Sequence, residues 1–81
     1  MPASFRANVR YLTKAIDAQS LHVKEFHEDF GSYEVYEYVQ YNMPGQKQRV
    51  TESVQLGVFS AEEAKKLWVK YCTDGYGEVK P

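Results

Sequence analysis

Apolar residues recur at two different spacings along this chain, and the change of spacing predicts the order of its elements. Four apolar residues near the N-terminus are separated by four, three and four positions: Phe5, Val9, Leu12 and Ile16. This spacing places them on one face of a helix, which is predicted to begin after the capping residue Ser4 and to run to about Ala18.

From Ser20 onward, apolar and polar residues alternate in segments rich in Val and Tyr, which is typical of β-strands. The pattern predicts three antiparallel strands, at 21–26, 33–41 and 48–58. Gly31 is predicted to take a positive φ in the first hairpin turn, and Pro44-Gly45 suits the second turn.

The segment 60–72 has the features of an amphipathic helix. Ser60 is a suitable N-cap, and Glu63 follows at the spacing of a capping box. The apolar stripe of this helix has the i, i+3, i+4, i+7 spacing: Ala64, Leu67, Trp68 and Tyr71. We therefore expect the helix to pack on the sheet, with Trp68 against its valines.

The predicted fold class is α+β: an N-terminal helix, a three-stranded antiparallel sheet, and a C-terminal helix packed on one sheet face. A chain of 81 residues is expected to form a single domain over 1–81. Residues 1–3 and 73–81 are expected to be flexible, because they show no periodicity and the second segment contains two Gly and a terminal Pro.

Pairing valines across the predicted strands assigns each side chain to a face. Placing Val39 opposite Val50, and Val23 opposite Val35, turns the valines toward the C-terminal helix. The other face then carries the predicted partner-binding residues: Tyr36, Tyr38, His22, Lys24 and Arg49. Exposed Tyr is a favoured interface residue, because it adds rigid contact area with a hydrogen-bonding tip.

The same register places Glu37 opposite Glu52 on the covered face. Paired carboxylates repel each other, but they are also the groups that general acid–base catalysis uses. One interpretation is that a Lys or Arg reaches the pair, or that a bulge turns one acid outward. The other is a small acid–base enzyme. A chain this short leaves little room for a pocket, so the sequence favours a non-enzymatic protein.

Charge and composition narrow the classes of partner. Ten Lys and Arg against eleven Asp and Glu give a net charge of −1, which favours neither nucleic acid nor an anionic membrane. The chain has no long apolar segment, so no membrane partner is predicted. The single Cys fits a reducing compartment, and a cytoplasmic location is expected.

Motifs that bind metals or cofactors are not found in the sequence. No P-loop, GxGxxG, CxxC or HExxH occurs, and His22 and His27 belong to no set with metal-ligand spacing. Cys72 lies beside the apolar stripe of the C-terminal helix, which predicts a buried structural thiol rather than a nucleophile. Neither a cofactor nor a metal site is predicted.

A basic stripe runs along the predicted N-terminal helix at i, i+4 and i+8: Arg6, Arg10 and Lys14. The first interpretation is a solvated face of an ordinary surface helix. The second is a docking site for phosphates or for an acidic partner.

Residues 33–72 have the plan of a three-stranded sheet followed by one packed helix. The strand-to-helix junction LGVFSAEEAKKLW resembles that of AP2 domains and of the arm-binding domains of tyrosine recombinases. The residues that carry the resemblance are Leu56, Gly57, Phe59, Ser60, Glu62, Glu63 and Ala64. The resemblance implies a sheet with one face covered by the helix and the other able to enter a DNA major groove.

The sequence leads to two functional hypotheses. The first is a small non-enzymatic protein-binding module, such as a phage-type inhibitor or adaptor that occupies a partner's surface. The alternative is a nucleic-acid-binding module of the AP2 or recombinase-arm type. The open face has fewer cations than such DNA-binding sheets, which favours a protein partner. A homodimer is a further possibility, because an open sheet has two unpaired edges.

Overall fold

The computed structural model describes residues 8–42, 45 and 49–80, and this part of the chain forms a six-stranded antiparallel sheet and one helix. The elements follow one another in the order β1 (Val9–Ala15), β2 (Ser20–Asp29), β3 (Ser32–Tyr41), β4 (Arg49–Val50), β5 (Val54–Ser60), α1 (Ala61–Thr73) and β6 (Gly77–Val79). In space the strands are ordered β4–β3–β2–β1–β6, and β5 also pairs with β3, on the side away from β2.

The predicted N-terminal helix is wrong, because its central part forms strand β1. This strand pairs with β2 on one side and with β6 on the other. The segment VRYLTKA also alternates along its length and contains the strand-favouring residues Val, Tyr and Thr. Two neighbouring strands satisfy its backbone groups and bury Leu12 completely, and this tertiary pairing overrides the weaker helical spacing.

The sheet is also larger than the predicted three-stranded one. Besides β1, it includes β6, which lies within the segment 73–81 that was expected to be flexible. The third predicted strand is interrupted at 51–53, so that β4 and β5 pair separately with β3. Between Val35 and Tyr36 the register of the β3–β5 pairing shifts, and Leu56 is left without a partner in β3.

The first hairpin turn has the expected conformation. Phe30 and Gly31 have φ values of 48° and 82°, and they connect the paired residues Asp29 and Ser32. Two central residues with positive φ give the backbone twist that a tight β-hairpin requires. In the second turn Gly45 has a φ of 76°, while Met43 and Pro44 lie outside the described residues.

The C-terminal helix and its capping box are confirmed. The Ser60 side chain accepts a hydrogen bond from the Glu63 backbone N–H at 3.2 Å, and a Glu63 carboxylate oxygen accepts one from the Ser60 N–H at 3.0 Å. The helix packs on the sheet through Ala64, which joins Leu12, Phe26 and Val35 in the core. The Cys72 thiol, in contrast, is exposed, so its prediction as a buried residue is wrong.

Trp68 is half-buried against this core. Its ring lies edge-to-face with that of Phe26, with 5.0 Å between the ring centroids. The predicted packing against a row of valines is therefore only partly found, because Val50 and Val54 are exposed, whereas Val35 belongs to the core that Trp68 packs against.

The two sides of the sheet follow from the observed register. The helix-side face lies beneath α1 and carries Arg10, Leu12, Lys14, His22, Lys24, Phe26, Tyr33, Val35, Glu37, Val39, Phe59 and Glu78. The open face is the opposite side and carries Val9, Tyr11, Thr13, Ala15, Leu21, Val23, Glu25, His27, Asp29, Glu34, Tyr36, Tyr38, Gln40, Val50, Gln55, Val58 and Val79. Within the described residues, no helix lies on the open face.

Candidate functional site

The centre of the open face is a cluster of aromatic and acidic side chains on β2 and β3. The Tyr36 hydroxyl donates a hydrogen bond to a Glu34 carboxylate oxygen at 2.7 Å, and the Gln55 side-chain amide approaches the Tyr36 oxygen at 3.5 Å. The Tyr36 ring also lies against His27, with 4.9 Å between the ring centroids. These contacts hold the Tyr36 ring in a defined orientation while part of it remains exposed to solvent.

A second group of contacts joins the cluster through Glu25. One carboxylate oxygen of Glu25 lies 2.9 Å from Nε2 of His27. Burial raises the pKa of the Tyr38 phenol, and a hydrogen bond with Glu25 raises it further. The phenol therefore keeps its proton at neutral pH and can act as a donor. Val23, next to Tyr38 in the register, is buried even though α1 lies on the other face.

Exposed apolar side chains extend the surface beyond this cluster. Tyr11 and Val79 are direct neighbours across β1 and β6, with 36% and 48% of their surfaces exposed. On the other edge, Val50 and Val58 are exposed as well. Aromatic and aliphatic groups therefore reach from one edge of the open face to the other, which is a feature of surfaces that bind other molecules.

The charges of the open face have one sign. Among the described residues, its strand positions hold Glu25, Asp29 and Glu34 but neither Lys nor Arg. The cations of the neighbouring strands lie on the helix-side face instead. The open face is therefore aromatic and acidic.

The structure brings together only two of the five residues predicted to contact a partner. Tyr36 and Tyr38 lie side by side on the open face, as the sequence indicated. His22, Lys24 and Arg49 lie on the helix-side face, because β2 pairs with β3 three positions away from the predicted register and β4 pairs with it one position away, and both shifts are odd. A shift of one residue turns every side chain of a strand to the opposite face.

Lys24 is a structural residue rather than an exposed cation, since only 6% of its surface is accessible. Its ammonium donates to a Glu37 carboxylate oxygen at 2.8 Å and lies 5.2 Å from the ring centroids of both Tyr71 and Tyr76. Burial lowers the pKa of Lys24, but hydrogen bonds to Glu37 and Tyr76 outweigh this effect, so the net shift is upward. The amine therefore keeps its charge and is held between the Glu37 carboxylate and the two tyrosine rings.

The acid pair that suggested catalysis is not formed across the strands. Glu37 lies opposite Val54 and is neutralised by Lys24, so the expected Lys reaches one of the two acids. Glu52 lies in the interruption between β4 and β5. Both acids line a cavity of about 160 Å³, which is smaller than the usual pocket for a small-molecule substrate.

The basic stripe has a different position from the one predicted. Arg10 forms a bidentate ion pair with Glu78, in which Nε and Nη2 each donate to one carboxylate oxygen at 2.9 Å. Its guanidinium lies 4.3 Å from the Trp68 ring centroid. The Lys14 ammonium donates to the Asp74 carbonyl oxygen at 2.7 Å. These two residues connect β1 to β6 and to the end of α1, and Arg6 lies outside the described residues.

Other candidate sites are weaker. A cleft of about 380 Å³ lies where α1 meets the sheet, between Arg10, Tyr33, Lys65 and Trp68. No group of three or more His, Cys, Asp or Glu residues suited to a metal ion occurs in the described ranges. The single described helix is also too short and too polar to cross a membrane.

Sequence reasoning missed two residues of the open-face cluster, Glu25 and His27. Both residues alternate with buried residues along β2, so the spacing of the strand already indicated that they share one face. The assumed pairing of Val23 with Val35 assigned β2 to the wrong phase and hid this signal.

No protein-family model, curated protein or solved structure matches the chain.

Proposed function

We propose that this protein is a small non-enzymatic protein-binding module whose open face occupies the surface of a partner protein, as an inhibitor or an adaptor does. The observation that supports this proposal is the open face itself. It combines tyrosines that hydrogen bonds hold in a fixed orientation with exposed aliphatic side chains, and no described helix covers it. Tyr side chains that are oriented before binding lose little entropy on association and are frequent hot spots.

The charge of the open face indicates the chemistry of the partner. Glu25 and Glu34 carry carboxylates at the centre of the surface, and no described Lys or Arg on this face opposes them. A partner surface with Arg or Lys around an apolar centre would complement both features, because a cation can contact a carboxylate and an aromatic ring together.

The nucleic-acid alternative has less support on this face. Binding to DNA depends on the neutralisation of phosphates by Lys and Arg, and each such contact adds to the salt dependence of the affinity. The carboxylates of Glu25 and Glu34 would repel phosphates at the positions where a DNA-binding sheet carries cations. We therefore retain the protein-binding function as the proposal.

A pair of tyrosine variants tests the proposal. Tyr36 lies on the open face, whereas Tyr41 lies on the same strand with its side chain on the opposite side of the sheet and 40% exposed. Proteins captured from a lysate of the source cell by the wild-type chain are expected to be lost with Tyr36→Ala and kept with Tyr41→Ala. Equal capture by both variants, with both folded, would contradict the proposal.

Binding to nucleic acid is tested separately. At low salt we expect no measurable association with duplex or single-stranded DNA. Tight binding that weakens steeply with added salt would instead support the nucleic-acid alternative.

A further inference from the structure

Strand β5 forms an exposed edge of the sheet and contains no charged residue. Its sequence, VQLGVFS, has no Pro either. The exposed fractions of Val54, Leu56 and Val58 are 53%, 36% and 62%. Within the described residues β5 pairs with β3 alone, so the backbone groups on its outer side have no strand as a neighbour.

The opposite edge of the sheet shows how such an edge is normally protected. Strand β6 has only three residues, and its central residue, Glu78, forms an ion pair with Arg10. Short length and charge both discourage pairing with another chain. Strand β5 has seven residues and no charge, and its one protective feature is the bulge at Leu56, which increases the local twist.

We propose that β5 pairs antiparallel with β5 of a second copy of this chain. Two identical strands that pair antiparallel about a two-fold axis bring a side chain at the axis opposite its own counterpart, and side chains near the axis lie within a few residues of theirs. A charge near the middle of the strand would therefore repel its copy. An uncharged strand with exposed Val and Leu has no such penalty, and a charged foreign strand would gain nothing from it electrostatically. Self-pairing is therefore the association that this edge fits best.

The proposed geometry also has a consequence for the open face. An antiparallel pair of edge strands is related by an axis perpendicular to the sheet, so the same face of both copies lies on the same side of the joined sheet. The two open faces would then lie next to each other on one side of a continuous sheet, with both α1 helices on the other side. The proposal does not depend on the function of the open face and can fail without affecting it.

Matched valine variants test the pairing. Val58 and Val69 are similarly exposed, at 62% and 55%, but Val58 lies on β5 and Val69 lies on α1. Sedimentation equilibrium over a wide range of concentration is expected to show a reversible dimer for the wild type and for Val69→Lys. For Val58→Lys we expect the dissociation constant of the dimer to rise roughly tenfold or more.

Circular dichroism checks that the variants are folded. If Val58→Lys does not fold, Gln55→Lys places a charge on the same exposed strand and provides the same test. A wild-type protein that stays monomeric at all concentrations would overturn the proposal. So would folded β5 variants that dimerise as tightly as Val69→Lys.

Hydrogen exchange identifies the surface that pairs. The β5 amides that face away from β3 are expected to gain protection as the concentration of the wild-type protein rises, and to remain unprotected in Val58→Lys. Complete protection of these amides in a protein that sediments as a monomer would mean that another segment of the same chain occupies this edge, and it would overturn the proposal.

Discussion

The two faces of the sheet use similar side chains for different purposes. On the helix-side face, each of three cations has a defined acceptor: Arg10 with Glu78, Lys14 with the Asp74 carbonyl, and Lys24 with Glu37. On the open face, aromatic and acidic groups contact one another, but no described Lys or Arg neutralises the acids. The two faces thus differ in their cations and in their coverage, and coverage determines which face stabilises the fold and which can bind.

The largest expected difference is between two phenylalanines of one hairpin. Phe26 is 2% exposed beneath Trp68 and Tyr71, whereas Phe30 in the turn is fully exposed. Phe26→Ala is expected to lower the free energy of unfolding by about 3–5 kcal/mol, and Phe30→Ala by less than about 0.5 kcal/mol. Urea unfolding measures both values. Similar losses for the two variants would mean that α1 does not cover this face.

A smaller difference is expected between two lysines. Lys24 is buried against Glu37 and two tyrosine rings, while the Lys66 side chain is 78% exposed and lies 3.9 Å from Glu62. Removing the Lys24 side chain removes the packing contacts of its aliphatic part and leaves the Glu37 carboxylate without its cation. Glu37 is itself partly exposed, which moderates the loss.

We therefore expect Lys24→Ala to reduce stability by about 2–4 kcal/mol and Lys66→Ala by about 0.5 kcal/mol or less. Lys24→Met, which keeps most of the stem, should lie between these values. Thermal unfolding at neutral pH compares the three variants. A Lys24→Ala protein as stable as Lys66→Ala would place Lys24 in solvent.

The smallest effect concerns the tyrosines of both faces at alkaline pH. Burial raises the pKa of Tyr38 on the open face and that of Tyr71 on the helix side above the usual 10.0. The folded protein therefore holds these protons at pH values where the unfolded chain releases them. Their contribution to stability is complete below pH 10 and is lost as the pH rises from 10 toward the folded-state values.

Tyr38→Phe should make the decline of stability above pH 10 less steep, because one of the groups that drives the decline is removed. Urea unfolding on both sides of pH 10 measures the slope for the wild type and the variant. An unchanged slope would mean that the Tyr38 hydroxyl is fully solvated, and that the open face is less organised than its hydrogen bonds indicate.

Local signals in the sequence were sufficient for the helix α1 and the first hairpin turn. Ser60 and Glu63 satisfy each other's backbone groups within four residues, so no distant contact is needed to determine where the helix begins. Gly31 likewise takes a conformation that its missing side chain permits. A third local signal was missed: the Asp17 carboxylate accepts hydrogen bonds from the N–H groups of Gln19 and Ser20 and forms the turn between β1 and β2.

The prediction that failed most clearly is the N-terminal helix, whose central part is strand β1. The positions of Arg10 and Lys14 differ by four, a spacing that places both on one side of a helix and equally on one side of a strand. Val9 and Leu12 differ by three, which fits a helix face, but the structure places them on opposite faces of the strand. The choice between helix and strand was made by β2 and β6, whose paired residues lie 6–18 and 64–68 positions away from those of β1 in the chain.

The sequence by itself therefore determined where helix α1 begins and where the first hairpin turns, because caps and tight turns are formed by neighbouring residues. Only the tertiary structure decided which face each side chain occupies. The period of a strand is two, so any odd change of register moves a strand's side chains to the other face. A change of three residues in β2 and of one residue in β4 moved His22, Lys24 and Arg49 to the helix-side face and left Tyr36 and Tyr38 with Glu25 and His27. That register depends on the packing of whole strands beneath α1, and no short-range pattern in the chain specifies it.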